Sequence, residues 1–375
     1  MDLGPYTDAL PAAHPINAAR FIRFVQWGAF SAIFRPHDGG NADSRIWTFA
    51  PEHYNILRDY TRLRGALTPW IYAMAAKTRD ESIPFSRPMW WDYGADAAAS
   101  GEDAHAMSEQ FVFGDGVIVR PISKFISPQA SMPPFNDSSV AVNSSAFSVW
   151  LPSGCWLSWN ASGAPVCGPV RHSGVAHLGE IPLFVRPGTV LPMWPPGRRT
   201  ADKPPAMRTR LWTLFVGGGA TNGTGVDHED DGETLALAST KTTLRFAAGA
   251  KGVEVKISHP IGSYAGMSRS KTHAVQLRGF QLGGRAVSCC AGGAACAPLA
   301  RGTVGDFSAA GFWTQPATAA EMAVTAGALV VVRPLRRLLV WCVRLLRLTS
   351  MALFRSAPPR MRRRGCGWWW LDWSA

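Results

Sequence analysis

The chain has 375 residues, a length that suggests two or three domains, and its 47% apolar content is ample for a folded core. The net charge of +12 is concentrated at one end, because residues 333–375 hold ten Arg and one Asp and so carry +9. The remaining chain carries about +3, so the charge of the body of the protein gives no reason to expect nucleic-acid binding.

The first informative segment spans residues 21–37, after a loop-rich region over residues 1–20. Apolar periodicity in residues 21–34 ends in a run, Ala29 to Phe34, that predicts a buried strand. The strand would deliver Arg35 and His37 to a Gly/Asp-rich loop. Substrates of parallel α/β barrels bind at the carboxyl ends of the strands, so these two side chains are candidate site residues.

A long helix is predicted over residues 51–79. Apolar residues recur there at helical spacing, and Pro51 suits a first-turn position. Pro69 is expected to kink the helix or to split it in two. A strand followed by a long amphipathic helix is typical of the βα unit of a barrel.

From residue 84 onwards short β-type runs dominate, with turn signals at Pro152-Ser153-Gly154 and Ser162-Gly163, and their spacing predicts sandwich domains. The predicted strands of the first β region are 85–93, 111–122, 147–151, 181–186 and 189–191. Those of the second are 209–216, 242–247, 253–258 and 274–277. Residues 281–332 give no clear pattern.

An acidic segment, residues 227–233, lies between two strands of the second β region. It lacks the alternating ligand spacing of an EF-hand, so a solvated turn at Asp231-Gly232 is favoured over a Ca²⁺ site. None of the seven Cys forms a C-x-x-C pair, which argues against a zinc ribbon. The sequence therefore predicts neither a metal nor a cofactor.

Cysteine and asparagine usage bears on the compartment. Cys155 and Cys167 flank one predicted turn and either form a disulfide or remain two buried thiols. Four of the seven Asn residues lie in N-x-S/T acceptors, which favours a secretory, lysosomal or extracellular route. These residues are Asn136, Asn143, Asn160 and Asn222. No signal peptide begins the chain, so a secreted protein would have its true N-terminus elsewhere.

Several of these segments together resemble the C-terminal part of glycoside hydrolase family 31, the α-glucosidases and α-xylosidases. The family patterns D-x-G-G-F and R-W-x-Q-x-G-A-F-x-P-x-x-R-x-H are matched by Asp2-Leu3-Gly4-Pro5-Tyr6, by Arg23-Phe24, by Gln26-Trp27-Gly28-Ala29-Phe30 and by Arg35-Pro36-His37. Further matching segments follow in order: the helix with Arg58, Leu63-Arg64 and Pro69, then residues 86–93, 110–115, 149–156, 181–188 and 229–232. The resemblance covers about residues 1–280.

The resemblance implies an α/β barrel remnant, the last βα units of a TIM barrel, followed by all-β sandwich domains. The expected boundaries are 1–83 for the barrel end, 84–200 for a proximal β-sandwich and 201–285 for a distal β domain. Residues 286–375 remain unassigned.

The resemblance also implies site residues. His37 would contact the sugar in the subsite that is cleaved, the alternative being a structural histidine. Arg35 would reach a sugar hydroxyl or form a buried, orienting pair with Asp2. Tyr6 would wall the pocket, and Trp27 either stacks on the sugar or packs in the core.

The implied activity is retaining hydrolysis of α-glucosides or α-xylosides, with an oligosaccharide or glycoside as substrate and no cofactor. Retention needs two carboxyl groups, and the family's W-x-D-M-N-E nucleophile segment does not occur in this sequence. Both catalytic carboxylates are therefore expected upstream of Met1, and the chain alone is expected to be inactive. The alternative function is a non-catalytic β-sandwich module that binds carbohydrate or a partner.

The basic segment 333–348 has two interpretations. Its five Arg residues fall on one helical face, which is compatible with lying on a membrane surface but not with spanning one. The favoured interpretation is that this segment is not native protein sequence, together with the Arg- and Trp-rich sequence that follows it to residue 375, so a membrane partner is not expected.

Overall fold

The computed structural model describes residues 2–3, 15–37, 45–123, 144–160, 163–195, 209–235, 238–249, 252–268 and 271–279, together with short strands within 285–370. Tyr6 and the sequons of Asn136 and Asn143 lie outside the described residues, as do residues 335–348 of the basic segment. Arg333 and Pro334 lie in a β-strand, so the helical interpretation is wrong at these two positions.

The N-terminal part forms a β-α-β unit followed by two helices. The elements are β1 Asp2–Leu3, α1 Pro15–Ala29, β2 Arg35–Pro36, a short 3₁₀ helix Ile46–Thr48, α2 Pro51–Ala66 and α3 Thr68–Glu81. Strands β1 and β2 pair in parallel, as successive barrel strands do. The split between α2 and α3 falls at Leu67, two residues before Pro69, which confirms the predicted break.

The predicted strand over Ala29 to Phe34 is wrong. Helix α1 continues to Ala29, and the strand begins only at Arg35. The buried side chains of Phe21, Ile22 and Val25 recur at helical spacing, whereas Ile33 is 60% exposed. The apolar run therefore divides between the end of a helix and an exposed connection.

A six-stranded sheet follows, with the strand order β3-β4-β5-β8-β6-β7. Its elements, with the helix that follows β3, are β3 Ser86–Pro88, α4 Met89–Ala99, β4 Phe111–Phe113, β5 Val117–Val119, β6 Ser144–Ser158, β7 Val166–His177 and β8 Leu183–Val185. The predicted strand 85–93 is wrong beyond Pro88, because Met89 starts α4. The turn predicted at residues 152–154 is also wrong, since β6 runs through it with a bulge at Ser153 and Gly154.

The remaining strands build two further sheets, ordered β18-β15-β10-β9 and β11-β12-β13-β19-β16-β17, with β14 paired to β12. They are β9 Val190–Met193, β10 Thr209–Phe215, β11 Asn222–Glu229, β12 Thr240–Gly249, β13 Gly252–Ile257, β14 Ile261–Gly262, β15 Thr272–Arg278, β16 Arg285–Ala291, β17 Ala297–Pro298, β18 Ala320–Thr325 and β19 Ala328–Pro334. A separate pair comprises β20 Arg362–Arg364 and β21 Trp368–Trp370. The predicted β regions are confirmed as sheet structure, but the single strand predicted over residues 111–122 is wrong, because β4 and β5 are two antiparallel strands with a turn between Phe113 and Val117. The domain boundaries stay predictions.

One hydrophobic core joins the helices of the N-terminal part to the β-sheets. It contains the inner face of α1 together with side chains from α2, β4, β5, β8, β9 and β10. Phe30 lies at its centre, with edge-to-face contacts to Phe113 and Trp159 at ring centroid distances of 6.0 and 5.8 Å. Burial of this kind fixes α1, and with it the segment leading to β2, on the β-sheet scaffold.

Cys155 and Cys167 form a disulfide between the neighbouring strands β6 and β7. This resolves the alternatives that the sequence left open in favour of the bridge.

Candidate functional site

The parallel pairing of β1 and β2 determines the geometry of the predicted sugar site. Asp2 lies opposite Arg35 in the register, and Leu3 lies opposite Pro36. His37 follows directly after β2 and is half-buried. Because both strands run in the same direction, these residues lie at one end of the pair, which is the end where barrel enzymes bind substrate.

Arg35 differs from the expectation of a buried ion pair, because its side chain is exposed. The buried pair with Asp2 is what the resemblance implies, but β2 has only two residues and both are exposed. The register still places Arg35 beside Asp2 in the backbone ladder. The sugar-binding roles of both residues stay predictions.

Trp27 lies in the last turn of α1 and is 39% exposed. In a β-α-β unit the helix runs back from the carboxyl end of the first strand towards the amino end of the next. The last turn of α1 is therefore directed away from the end at which His37 leaves β2. This topology argues against the predicted contact of Trp27 with the sugar.

Two residues of the signature stretch, Arg23 and Gln26, bind backbone carbonyls of the β-sheet region. Arg23 Nη1 donates to Gln26 Oε1 at 2.9 Å and to the carbonyl of Glu180 at 2.5 Å, and Gln26 Nε2 donates to the carbonyl of Leu178 at 2.8 Å. Tyr60 Oη of α2 donates to the carbonyl of Gly179 at 3.0 Å. We call Arg23, Gln26 and Tyr60 the carbonyl clamp.

The carbonyl clamp is buried, and the charge of Arg23 is held inside the protein. Burial lowers the pKa of Arg23 to about 10, an effect opposed by the nearby Tyr60 and Glu180 side chains, so the guanidinium remains protonated at neutral pH. Buried carbonyls require donors, and the clamp supplies them to the connection between β7 and β8. These signature residues therefore join α1 and α2 to the sheet rather than line a pocket.

Arg64 of α2 is a positioning residue that the sequence interpretation missed. Its guanidinium donates to the carbonyls of Ala29, at 3.3 Å, and Ala32, at 2.8 Å, and also to that of Ser31. Burial lowers the pKa of Arg64 to about 10. The residue thus holds the connection that leads from α1 into β2, and so to Arg35 and His37.

Replacing Arg64 by methionine is expected to lower the free energy of unfolding by about 2–3 kcal/mol, because hydrogen bonds from a charged donor are lost and carbonyls stay unpaired. Hydrogen exchange at residues 29–36 should accelerate as well. Arg62→Met on the same helix, where the side chain is exposed, is the matched control and should change stability by about 0.5 kcal/mol or less. Equal effects of the two substitutions would contradict the positioning role.

A buried charge cluster lies between β10, β11 and the start of β15. Arg210 Nε contacts Asp227 Oδ2 at 2.8 Å, and Arg210 Nη2 contacts Glu229 Oε1 at 3.0 Å. Lys271 Nζ lies 3.4 Å from Asp227 Oδ2 and also contacts Glu229. We call Arg210, Asp227, Glu229 and Lys271 the distal ion cluster.

The prediction of a solvated turn over residues 227–233 is wrong for its first part, because Asp227 is fully buried in β11 and paired within the distal ion cluster. The second half of the segment does form the expected exposed turn. There Asp231 accepts hydrogen bonds from the Thr234 hydroxyl and the backbone, which lower the pKa of Asp231, and Gly232 has a φ of +68°. The equal numbers of cations and carboxylates in the cluster indicate a structural role.

A groove of about 570 Å³ opens between α3, residues 186–190 and β11. Charged side chains on its wall form pairs: Lys77 Nζ lies 2.6 Å from Asp115 Oδ2, and Lys241 Nζ lies 3.5 Å from Asp80 Oδ2. None of the predicted sugar-site residues that the structure describes lines this groove. The groove is therefore separate from the strand-end site.

The described residues show neither a metal-binding cluster nor a membrane-spanning helix. Within those residues, His, Cys, Asp and Glu side chains nowhere gather in threes in a way that could hold a metal ion. No helix in the described part of the chain is long and apolar enough to cross a membrane.

Comparison with known protein families identifies two matching models. Residues 1–74 match the glycosyl hydrolases family 31 TIM-barrel domain, and residues 82–191 match the glycosyl hydrolase family 31 C-terminal domain. The resemblance carried by the sequence motifs is confirmed over these residues. The match supports a TIM-barrel fragment followed by a β domain, while the number of barrel strands carried stays a prediction.

Curated relatives include glucosidases and a xylosidase. Alpha-glucosidase 2 of Bacillus thermoamyloliquefaciens is 27% identical over 60% of this chain and 25% of its own length, and mouse neutral alpha-glucosidase C is 30% identical over 52% and 20%. The alpha-xylosidase of Saccharolobus solfataricus is 29% identical over 46% and 20%. The chain thus spans a quarter or less of the length of these relatives.

Solved structures of glycoside hydrolase family 31 enzymes are similar to this chain in fold. A dextranase of Flavobacterium johnsoniae complexed with glucose matches 88% of this chain and 39% of its own, with a TM-score of 0.69 at 19% identity. The alpha-xylosidase of Xanthomonas citri matches 88% of this chain and 30% of its own, with a TM-score of 0.61 at 25% identity.

Proposed function

From its match to glycoside hydrolase family 31 over residues 1–74 and 82–191, we propose that this chain forms part of a retaining α-glycosidase acting on α-glucosides or α-xylosides. The named activities of the curated relatives, which are glucosidases and a xylosidase, support this substrate class. The solved dextranase complexes with glucose and isomaltotriose support an oligosaccharide as ligand.

The structural observation that supports the proposed sugar site is the parallel register of β1 and β2. It aligns Asp2 with Arg35 and brings His37 to the same end of the pair. A neutral imidazole can donate one hydrogen bond and accept another. A guanidinium donates hydrogen bonds to the oxygens of sugar hydroxyls, and a carboxylate accepts hydrogen bonds from those hydroxyls. In this proposal His37, Arg35, Asp2 and Tyr6 form one wall of the sugar pocket, and Arg64 positions the strand that carries two of them.

Cleavage with retention requires a nucleophile and an acid/base carboxyl group about 5–5.5 Å apart. The printed sequence has no W-x-D-M-N-E segment to supply the nucleophile. We therefore assign both catalytic carboxylates to sequence upstream of Met1, and the printed chain alone should not hydrolyse glycosides, because loss of the reacting groups removes nearly all rate enhancement.

Sequencing the transcript upstream of the Met1 codon tests this proposal directly. The expected result is an in-frame W-x-D-M-N-E segment followed by a second Asp, the acid/base residue, before the strand of Asp2. In the product that contains both, His37→Ala should lower kcat/KM for an aryl α-glucoside or α-xyloside about tenfold or more, the effect of one lost hydrogen bond.

The control is His259→Ala, an exposed histidine of the β region, which should leave kcat/KM unchanged. The chain that begins at Met1 should hydrolyse the same substrates no faster than buffer alone. Hydrolysis by the chain that begins at Met1, or a transcript without the nucleophile segment, would contradict the proposal.

A further inference from the structure

Two of the four N-x-S/T acceptors have their asparagine in the described part of the chain, and both asparagines are exposed. Asn160 follows β6 at the start of a turn, and Asn222 is the first residue of β11. Acceptor asparagines are modified where they reach the surface, usually in loops or at the ends of elements. Both positions meet this condition.

The environment of Asn160 directs its side chain outward. The preceding residue, Trp159, is 5% exposed, and its backbone N–H donates to the carbonyl of Leu183 at 3.0 Å. The chain therefore leaves the core at Asn160, where the hairpin between β6 and β7 turns.

The same hairpin carries a second feature that indicates the cellular compartment in which the chain folds. The Cys155–Cys167 disulfide links the two strands of the hairpin, joining residues that lie opposite each other in the β6–β7 register. Disulfides persist in oxidising compartments such as the secretory lumen and are rare in the cytosol. N-linked oligosaccharides are attached in that same lumen, so the disulfide and the acceptor support one interpretation through different chemistry.

Asn222 lies on a strand edge with its acceptor sequence fully described. Strand β11 is the outer strand of its sheet, and Asn222 and Thr224 are both exposed. Residues two apart in a strand face the same side, which places the amide and the Thr224 hydroxyl together on the surface. Asn222 also borders the groove beside α3.

We propose that Asn160 and Asn222 are N-glycosylation sites of a chain that folds in an oxidising secretory lumen. In each case the side-chain Nδ2 forms a bond to the anomeric carbon of an oligosaccharide carried on a lipid diphosphate. The bond from that carbon to the diphosphate oxygen breaks, the lipid diphosphate leaves, and the amide loses one proton to a base. The proposal does not depend on the glycosidase activity.

The test is expression of the full chain behind a cleavable secretory leader in cultured eukaryotic cells. Lumenal and secreted protein are both collected and treated with a peptide N-glycosidase in H₂¹⁸O. Each glycosylated Asn is then converted to Asp that carries ¹⁸O, which peptide mass spectrometry reads directly. The expected result is ¹⁸O-labelled Asp at positions 160 and 222.

Matched variants separate glycosylation from folding effects. Ser162→Ala and Thr224→Ala keep both asparagines and should each remove one label and one step of the gel mobility shift. Asn55→Gln, an exposed asparagine of α2 outside any acceptor sequence, should change neither. Unlabelled Asn at both positions in lumenal protein would overturn the proposal, and an unlabelled Asn at one position would overturn that site.

Discussion

Replacing Asp227 by alanine is expected to lower the free energy of unfolding by about 3–5 kcal/mol, the range for breaking a buried ion pair from one side. Asp227 is fully buried, and its loss leaves Arg210, which is 4% exposed, with one fewer carboxylate. Arg210 Nη1 has no hydrogen-bond partner among the described residues, so Glu229 is the carboxylate that remains to compensate the buried guanidinium. Denaturant titration measures the change, provided that the slope with denaturant stays constant.

The control for Asp227 is Glu254→Ala in the same β region. Glu254 pairs with Lys256 at 3.0 Å, but the Lys256 side chain is 70% exposed and that of Glu254 is 40% exposed, so removal of Glu254 should cost about 1 kcal/mol or less. A double substitution, Asp227→Leu with Arg210→Met, should be less destabilising than Asp227→Ala, because it removes both buried charges. If Asp227→Ala costs no more than Glu254→Ala, the distal ion cluster does not stabilise the fold.

The distal ion cluster also shows why part of the sequence interpretation failed. Residues 227–233 contain five acidic side chains, a pattern that favours a solvated loop. The pairing of Asp227 depends on Arg210 in β10 and on Lys271 before β15, which are 17 and 44 residues away. A contact of that kind depends on which strands become neighbours, and local composition does not carry that information.

Features that depend on local chemistry were predictable. Pro69 breaks the helical segment near its own position, and Asp231-Gly232 forms the expected turn. The motif order also predicted the family match. The Ala29 to Phe34 run failed because a short apolar segment fits the end of a buried helix as well as a strand. Met89 starts a helix inside the segment 85–93, which is predicted as one strand.

For the candidate site, the sequence predicted only its location at the end of a strand. His37 and Arg35 were placed there from the end of an apolar segment, and the β1–β2 register is consistent with that position. Arg23 and Gln26 belong to the same sequence pattern, yet they bind carbonyls more than 150 residues away. Conversely, Arg64 lay in a helix motif without any indication that it reaches back to Ser31 and Ala32. A sequence motif marks such residues together and does not separate those that touch a ligand from those that hold the fold.

Acidification is expected to destabilise the protein through His273. Its Nδ1 accepts a hydrogen bond from Trp212 Nε1 at 2.9 Å, and its Nε2 has no partner among the described residues. Burial lowers the pKa of His273 from 6.5 to about 3, with smaller contributions from the positive charges of Lys271 and Arg210. The folded state therefore holds a neutral imidazole where the unfolded chain binds a proton.

The sign and size of the effect follow from linkage. Between pH 6.5 and about 3 the unfolded state carries one more proton at this residue, so stability is full above pH 6.5 and falls as the pH decreases. Between pH 7 and pH 4 the loss due to His273 should be about 3 kcal/mol, at 1.36 kcal/mol for each pH unit below 6.5. Denaturant titrations at pH 7, 5.5 and 4 measure it.

Two variants isolate His273 from the other titrating groups. His273→Asn keeps an acceptor for the Trp212 N–H but does not titrate, so it should be less stable than the wild type at pH 7 and lose about 3 kcal/mol less on going to pH 4. His259→Asn is the control, because that side chain is exposed and solvated whether the chain is folded or not. The wild type and His273→Asn share every other titrating group, so a difference between their pH profiles comes from His273. Parallel profiles for these two proteins would mean that His273 binds a proton in the folded state as well. That result would contradict a buried neutral imidazole at this position.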